Sequence, residues 1–513
     1  MTGLDRTRPV AVVGTGTMGQ GIAQVALVAG HPVLLHDAAP GRAEQAAAAI
    51  AGRLDRLVEK GRLSDDDRRA AQARLKPAGT LAELADCGLV VEAVLEQLDV
   101  KQALFRELEA IVDADCLLAT NTSSLSVTAI AGGLEHPGRF VGLHFFNPAP
   151  LLPLVEVVSG FATEESAATR AYDTAKAWGK SPVRCADTPG FIVNRVARPF
   201  YAEALRVYEE RVADPATVDA VLRECGGFRM GPFELTDLIG QDVNEAVTRS
   251  VWESFFQDPK FTPSLAQRRL VESGRLGRKS GHGWYAYADG AERPEPALQE
   301  PVSAPAEVTV HGDLGPAEPL LGLLKGAGIA AHREASEGEA SESCAAESAH
   351  IRLPCGARLF SAAEGVMASS LGDAVQFDLA RDYEATSLIA VAPSVTASDA
   401  ALREATGLFQ ALGKQVVVVA DVPGLIVART VAMLFDIALD ALDRGVAGAD
   451  DIDTAMRLGV NYPEGPLGWG ESVGLRRLHD LLTRMHDQQP TGRYAPSIGL
   501  RRRVHAQEET VRS

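Results

Sequence analysis

Residues 10–19 read V-A-V-V-G-T-G-T-M-G, and this stretch decides the fold. Val10 to Val13 form a short apolar run of the kind that a strand covered on both faces uses in a parallel sheet. Gly14, Gly16 and Gly19 follow at once, and residues 22–29 continue as a small, apolar helix. Gly14 permits the tight turn, and Gly16 lets the backbone approach a pyrophosphate. Gly19 lets the helix pack against the strand with its N-terminus toward the phosphates. A glycine turn alone is a weak sign. Here a second strand run at residues 32–36 closes the unit on Asp37, 18 residues beyond Gly19. An acid at that distance binds a ribose 2′-hydroxyl and repels a 2′-phosphate, so the spacing predicts NAD rather than NADP.

Working outward, further strands are predicted at residues 89–94, 116–120 and 140–143. The first leads to Glu96 and to Lys101 at a helix start, the second to N-T-S-S-L at 121–125, and the third to His144. Asp37, Glu96, Asn121 to Ser124 and His144 are thereby expected along one edge of a mostly parallel sheet, where such folds bind ligands. Residues 154–158, L-V-E-V-V, set Glu156 among apolar neighbours, where a carboxylate is costly to bury without a partner. His144 is the candidate partner. A core histidine capped by a carbonyl, and a glutamate on a solvated face, are alternatives that these residues alone leave open. An imidazole steadied by a carboxylate suits removal of a proton from an alcohol.

The rest of the chain narrows the classes of function. At 513 residues it is too long for one core and implies three or four domains. A net charge of −18 argues against nucleic acid and anionic membrane as partners. The six cysteines form no C-x-x-C, and no dense His/Cys/Asp cluster occurs, so no metal is expected. Scattered thiols, a polar N-terminus and the lack of any run of about 18 apolar residues predict a cytoplasmic protein without a membrane span. Arg53, Arg56, Lys60 and Arg62 form a local basic cluster, each of which alone reads most simply as part of a solvated helix end.

Five segments are predicted: a dinucleotide-binding domain at 1–187, a helical domain at 188–290, a proline-rich linker at 291–306, a truncated α/β piece at 307–420 and a second helical domain at 421–513. Within the truncated piece, residues 331–350 are acidic and low in complexity, and are expected to form a loop. D-V-P-G-L-I-V-A-R at 421–429 repeats D-T-P-G-F-I-V-N-R at 187–195, an offset of 234. The same offset sets Ala428 against Asn194, Asp378 against His144 and Ala390 against Glu156, so the second copy is expected to be catalytically empty. Its helical domain is expected to pack on the first as a second subunit would. The chain is then either a monomer with a built-in partner or a homodimer.

The motifs G-T-G-T-M-G (14–19), V-E-A-V-L-E (91–96), N-T-S-S-L (121–125), H-F-F-N-P (144–148), L-V-E-V (154–157), D-T-P-G-F-I-V-N-R (187–195) and G-R-K-S-G-H-G-W-Y (277–285) stand in the order of one family. The chain resembles the 3-hydroxyacyl-CoA dehydrogenases. The resemblance implies an α/β Rossmann-type doubly wound N-terminal domain, then an all-α domain, a truncated α/β segment and a second all-α domain. It implies His144 as general base oriented by Glu156, with Ser123 and Asn194 on the reacting oxygen. Gly14, Gly16, Thr17, Met18, Gly19, Asp37, Glu96, Lys101, Ser123, Asn147 and Lys279 are implied near NAD. Lys60, with Arg53, is implied at the phosphates of an acyl-CoA substrate. The implied reaction takes (S)-3-hydroxyacyl-CoA to 3-oxoacyl-CoA, with 3-hydroxybutyryl and 3-hydroxyadipyl esters both open. A β-hydroxyacid dehydrogenase acting on a free sugar acid, or an inactive dinucleotide-binding protein, are the other readings.

Overall fold

The computed structural model describes residues 3–334 and 349–512. The chain divides into two compact units: Met1–Arg195 with Arg444–Val460, and Val196–Asp443 with Asn461–Ser513. This partition differs from the boundaries expected from sequence, because residues 444–460 of the second copy join the N-terminal unit.

The first unit holds β1 (Val10–Val13), β2 (Val33–His36), β3 (Leu75–Pro77), β4 (Leu89–Glu92), β5 (Leu117–Thr120), β6 (Phe140–Phe145), β7 (Leu154–Ser159) and β8 (Ser181–Ala186). They form one sheet in the order β3-β2-β1-β4-β5-β6-β7-β8. Pairing is parallel from β3 through β6. It reverses at β7, which pairs antiparallel with β6, while β8 runs parallel to β7. The reversal has a local cause, since the short 146–153 turn cannot carry a crossover. β1, β4 and β5 are buried throughout, which explains their apolar runs, broken only at the strand ends by Glu92 and Thr120, which bond each other. Because β1, β2, β4, β5 and β6 are parallel, the residues that follow them share one sheet edge.

The outer edge of β8 is covered by the second copy. The Ala186 N–H donates to the Val446 carbonyl at 2.7 Å, and the Arg184 N–H to the Asp451 carboxylate at 3.3 Å. The Ala449–Gly459 helix then lies on β7 and β8.

The second unit contains the sheet β10-β9-β11-β12-β13-β14-β15, with β9 (Glu307–His311), β10 (Ala330–Glu334), β11 (His350–Arg352), β12 (Arg358–Ser361), β13 (Ala374–Phe377), β14 (Leu388–Pro393) and β15 (Gln415–Val418). β10 and β11 occupy the two ends of the expected acidic loop, since their backbone groups pair with β9. Residues 335–348 of that loop lie outside the described residues. The expected linker is also tied down. Gln299 donates its N–H to the Val416 carbonyl at 2.8 Å, and the Gln410 side chain bonds the carbonyls of Gln299 and Glu300, so the segment lies along the edge of β15.

Within this unit the Arg198–Glu209 helix packs against its repeat, Val427–Asp443. Their contact surrounds a fully buried Glu203, which takes Arg493 at 3.0 Å and the Tyr494 hydroxyl at 2.9 Å, with Arg429 at 3.3 Å. The contact at Val446 is mirrored here, since the Ala420 N–H donates to the Val212 carbonyl at 3.0 Å. Both of its partners stand 234 residues from those in the first unit. The two copies have exchanged equivalent segments.

Candidate active site

β6 and β7 pair in the register that sets His144 directly opposite Glu156. The His144 Nδ1 meets the Glu156 Oε2 at 2.6 Å, with the ring 7% exposed and the carboxylate 1%. Two rings, Phe146 and Phe191, flank the imidazole. The other carboxylate oxygen accepts the N–H groups of Ile192 and Val193 at 3.0 and 2.9 Å. Both lone-pair sets of Glu156 are therefore committed, which answers the cost of burying it. A carboxylate can only accept, so the His144 Nδ1 carries a proton and Nε2 is the nitrogen turned away from Glu156. Nε2 has no partner among the described residues.

The turn that delivers those two N–H groups also delivers Asn194. Phe191 sits at φ 49°, a left-handed conformation rare for an aromatic residue, and the turn is held open by its bonds to Glu156. Asp187, at its start, accepts from the Ser126 hydroxyl and the Thr128 N–H, both at 2.7 Å. The Asn194 amide reaches the Ser123 carbonyl at 3.5 Å. Ser123, His144, Glu156 and Asn194, far apart in sequence, thus meet at the carboxyl end of β5 and β6. Asn121 fastens the two strand ends together by accepting the Phe145 N–H at 2.9 Å.

Along the same edge, Gly14 has φ 93°, and a Cβ there would fall 2.5 Å from the Ala93 carbonyl. A Cβ on Gly19 would meet the Gly14 carbonyl, whereas Gly16 faces open space. Thr17 is exposed and Met18 half-buried at the start of the Thr17–Val28 helix. Beside this turn lies a cavity of about 650 Å³, bounded by Gly14, Gly16, Asp37, Arg42, Val94 and Leu104. Asp37 accepts the N–H and hydroxyl of Thr15 at 2.9 and 2.7 Å. Burial raises its pKa, but the Thr15 and Ala39 hydrogen bonds and Arg42 outweigh this and hold the carboxyl below the usual range.

Glu96 accepts from the Thr122 hydroxyl at 2.6 Å and from the N–H groups of Ser123 and Ser124 at 3.0 and 3.1 Å. Its pKa is lowered: burial works upward, and Lys101 with these hydrogen bonds prevails. Lys101 is 1% exposed, with its ammonium 2.6 Å from Glu92 and 3.2 Å from Glu96, so it holds Glu96 in place. Glu92 itself, fully buried between Lys101 and the Thr120 hydroxyl, escaped the sequence reading, although V-E-A-V shows a charge inside a strand.

The remaining candidates are more dispersed. Asn147 is exposed beyond β6, at a cis peptide with Pro148. Arg53 bonds the Gln20 side chain, while Lys60 caps the Arg42–Glu59 helix in solvent. Lys279 belongs to the second unit and pairs with Asp242 at 2.6 Å.

In the second sheet, β12 and β13 pair in the same register as β5 and β6, which sets Ala363 at the place of Ser123. With Asp378 for His144, Ala390 for Glu156 and Ala428 for Asn194, none of the four groups is retained.

A dinucleotide-binding sheet whose ligand edge carries a carboxylate-held imidazole is the arrangement of a class, the nicotinamide-dependent dehydrogenases. Comparison with known proteins narrows it. Residues 9–188 match the model of the 3-hydroxyacyl-CoA dehydrogenase NAD binding domain, and residues 190–287 and 424–512 both match the C-terminal domain of that family. Residues 361–423 match a 3-hydroxybutyryl-CoA dehydrogenase reduced Rossmann-fold domain. The chain is 45% identical over 499 residues to the 3-hydroxyadipyl-CoA dehydrogenase of Escherichia coli K12, covering 96% of this chain and 97% of that one. It matches the crystal structure of a 3-hydroxybutyryl-CoA dehydrogenase from E. coli K12 with TM-score 0.87 at 42% identity, over 99% and 100% of the two chains. The human mitochondrial hydroxyacyl-coenzyme A dehydrogenase is 38% identical over 285 residues, 54% of this chain and 90% of its own. The chain belongs to the 3-hydroxyacyl-CoA dehydrogenase family.

Proposed function

We propose that the protein oxidises (S)-3-hydroxyacyl-CoA to 3-oxoacyl-CoA with NAD, using His144 as the base. The observation that carries this is the double engagement of Glu156, which fixes the imidazole tautomer and at the same time anchors the turn bearing Asn194. The residues fit a dinucleotide: Gly16 leaves its approach open, the adjoining cavity is about 650 Å³, and Asp37 on its wall would take a ribose hydroxyl. Gly14, Gly16, Thr17, Met18, Gly19 and Asp37 would hold it, with Glu96 shaping the loop beside it. When bound, NAD supplies the acceptor for the hydride that leaves the alcohol carbon.

His144 Nε2 removes the hydroxyl proton. As the ring becomes an imidazolium, Nδ1–H donates to Glu156, whose charge stabilises the cation. The Ser123 hydroxyl and the Asn194 amide hold the oxygen as it changes from alcohol to carbonyl. Arg53 and Lys60 offer positive charge to the CoA phosphates in an otherwise acidic chain. Short or dicarboxylic acyl groups are the favoured substrates, since relatives spanning the chain bear the names 3-hydroxyadipyl- and 3-hydroxybutyryl-CoA dehydrogenase. We further read the protein as cytoplasmic, its buried cysteines Cys87, Cys116, Cys185 and Cys225 being free thiols, and as a unit in which the second copy stands in for a partner subunit.

The test is NADH formation from 3-hydroxybutyryl-CoA, 3-hydroxyadipyl-CoA and free 3-hydroxybutyrate. Turnover of a CoA ester and none of the free acid is expected. Turnover of free acids alone would overturn the assignment.

A further inference from the structure

We infer that Gly459, contributed by the catalytically empty second copy, is a positioning residue for the active site of the first. The Ala449–Gly459 helix ends against β7. An ideal Cβ on Gly459 would stand 2.7 Å from Cδ2 of Leu154 and 3.0 Å from Cγ2 of Val193. Leu154 lies two residues before Glu156 on the same strand. Val193 gives its N–H to Glu156 and directly precedes Asn194. A Cβ there would therefore press on residues at both sides of the bond that fixes Glu156.

The same segment also grips the far end of the turn. Val446 accepts from Ala186, the last residue of β8, immediately before the 187–193 turn. One piece of the second copy, residues 446–459, thus clamps the turn at its entrance and at its exit. The equivalent of Gly459 in the first copy is Cys225, whose Sγ reaches the Leu388 carbonyl at 2.9 Å. Leu388 is the equivalent of Leu154, so the contact is made in both copies, with a side chain only in the copy that has lost the four site groups. Gly459 sits at a helix end with φ outside the left-handed region, so glycine is not required by the backbone there. Crowding is the reason for a small residue: a Cβ would oblige the Leu154 and Val193 side chains to move.

The inference rests on the His144–Glu156 chemistry proposed above. Its test is Gly459→Val in the full chain, assayed with a 3-hydroxyacyl-CoA substrate across pH. A side chain there should push Val193 and shift Glu156 and Asn194 by a fraction of an ångström to about 1 Å. The expected loss is roughly 10- to 100-fold in kcat, with KM for NAD unchanged and with a displaced pH profile of kcat/KM. Adding Leu154→Ala to make room should restore much of the lost kcat. If Gly459→Val does not fold, Gly459→Ala, which a helical backbone accepts, is read in the same way. A folded variant with wild-type kcat and pH profile overturns the inference. So does a loss that merely follows the folded fraction. A His144→Gln variant as active as wild type would instead sink the functional reading, and the two failures are separately visible.

Discussion

Asp378, the residue that follows β13, stands where His144 stands on β6: the pairing that sets His144 opposite Glu156 continues to set Asp378 opposite Ala390. Asp378 then accepts the N–H groups of Ile426 and Val427 at 3.0 and 2.8 Å, which are the equivalents of Ile192 and Val193. The turn at the head of the second helical domain, with Leu425 at φ 40° in the place of Phe191, is therefore kept by a carboxylate from the neighbouring strand. The anchor survives and the imidazole has gone.

Burial pushes the Asp378 carboxyl up to about 6, against the pull of its backbone hydrogen bonds. A folded-state pKa above the ordinary Asp value means that the native protein binds this proton more tightly than the unfolded chain. The Asp378 contribution to stability should therefore fall as pH rises from about 4 to about 6. Melting curves of wild type and Asp378→Asn across that range should differ in slope. Parallel curves would contradict the linkage.

Replacing Glu156 by Gln keeps a group of similar shape but offers an N–H₂ to His144 Nδ1, favouring the tautomer that has its proton on Nε2. We expect kcat to fall by roughly 10²–10⁴, with little change in KM for NAD, as read by steady-state kinetics. His144→Gln should lose a comparable factor.

Asn194→Ala imposes on the first copy the residue that the second already carries at Ala428. Since that copy forms the same turn, the variant should fold with an unchanged melting midpoint. Its kcat should drop on the order of 10²-fold through loss of an oxygen-holding donor. A combined loss of stability and activity would mean that Asn194 serves the turn itself.

Asp37→Ala removes the charge that disfavours a 2′-phosphate, while Arg42 remains at the same cavity. The ratio of NADP to NAD efficiency should rise by at least about tenfold, equivalent to about 1.4 kcal/mol. Measuring kcat/KM for both cofactors decides this.

Deleting residues 296–513 uncovers the β8 edge and the face of the Arg198–Glu209 helix, and strips Glu203 of Arg429, Arg493 and Tyr494. Losing the partners of a buried charge costs about 3–5 kcal/mol. The remnant should aggregate, or dimerise through the exposed face, as size-exclusion chromatography would reveal. A monomeric, soluble and fully active remnant would contradict the role assigned to the second copy.

The sequence alone determined the parallel centre of the first sheet and its ligand edge, though not β3, β8 or the reversal at β7, because a buried parallel strand must be apolar, a pyrophosphate turn must be glycine, and both leave local traces at residues 10–19 and Asp37. It also revealed the duplication, since a 234-residue register is independent of conformation. Strands β10 to β13 were less legible: they are short, and their pairing rather than their composition makes them strands. That Lys101 is spent on Glu92 and Glu96, and that Val446 and Gly459 brace the turn before Asn194, only the tertiary structure decided. Those relationships join residues tens to hundreds of positions apart, and close packing and hydrogen-bond geometry exist only once the chain has brought them together.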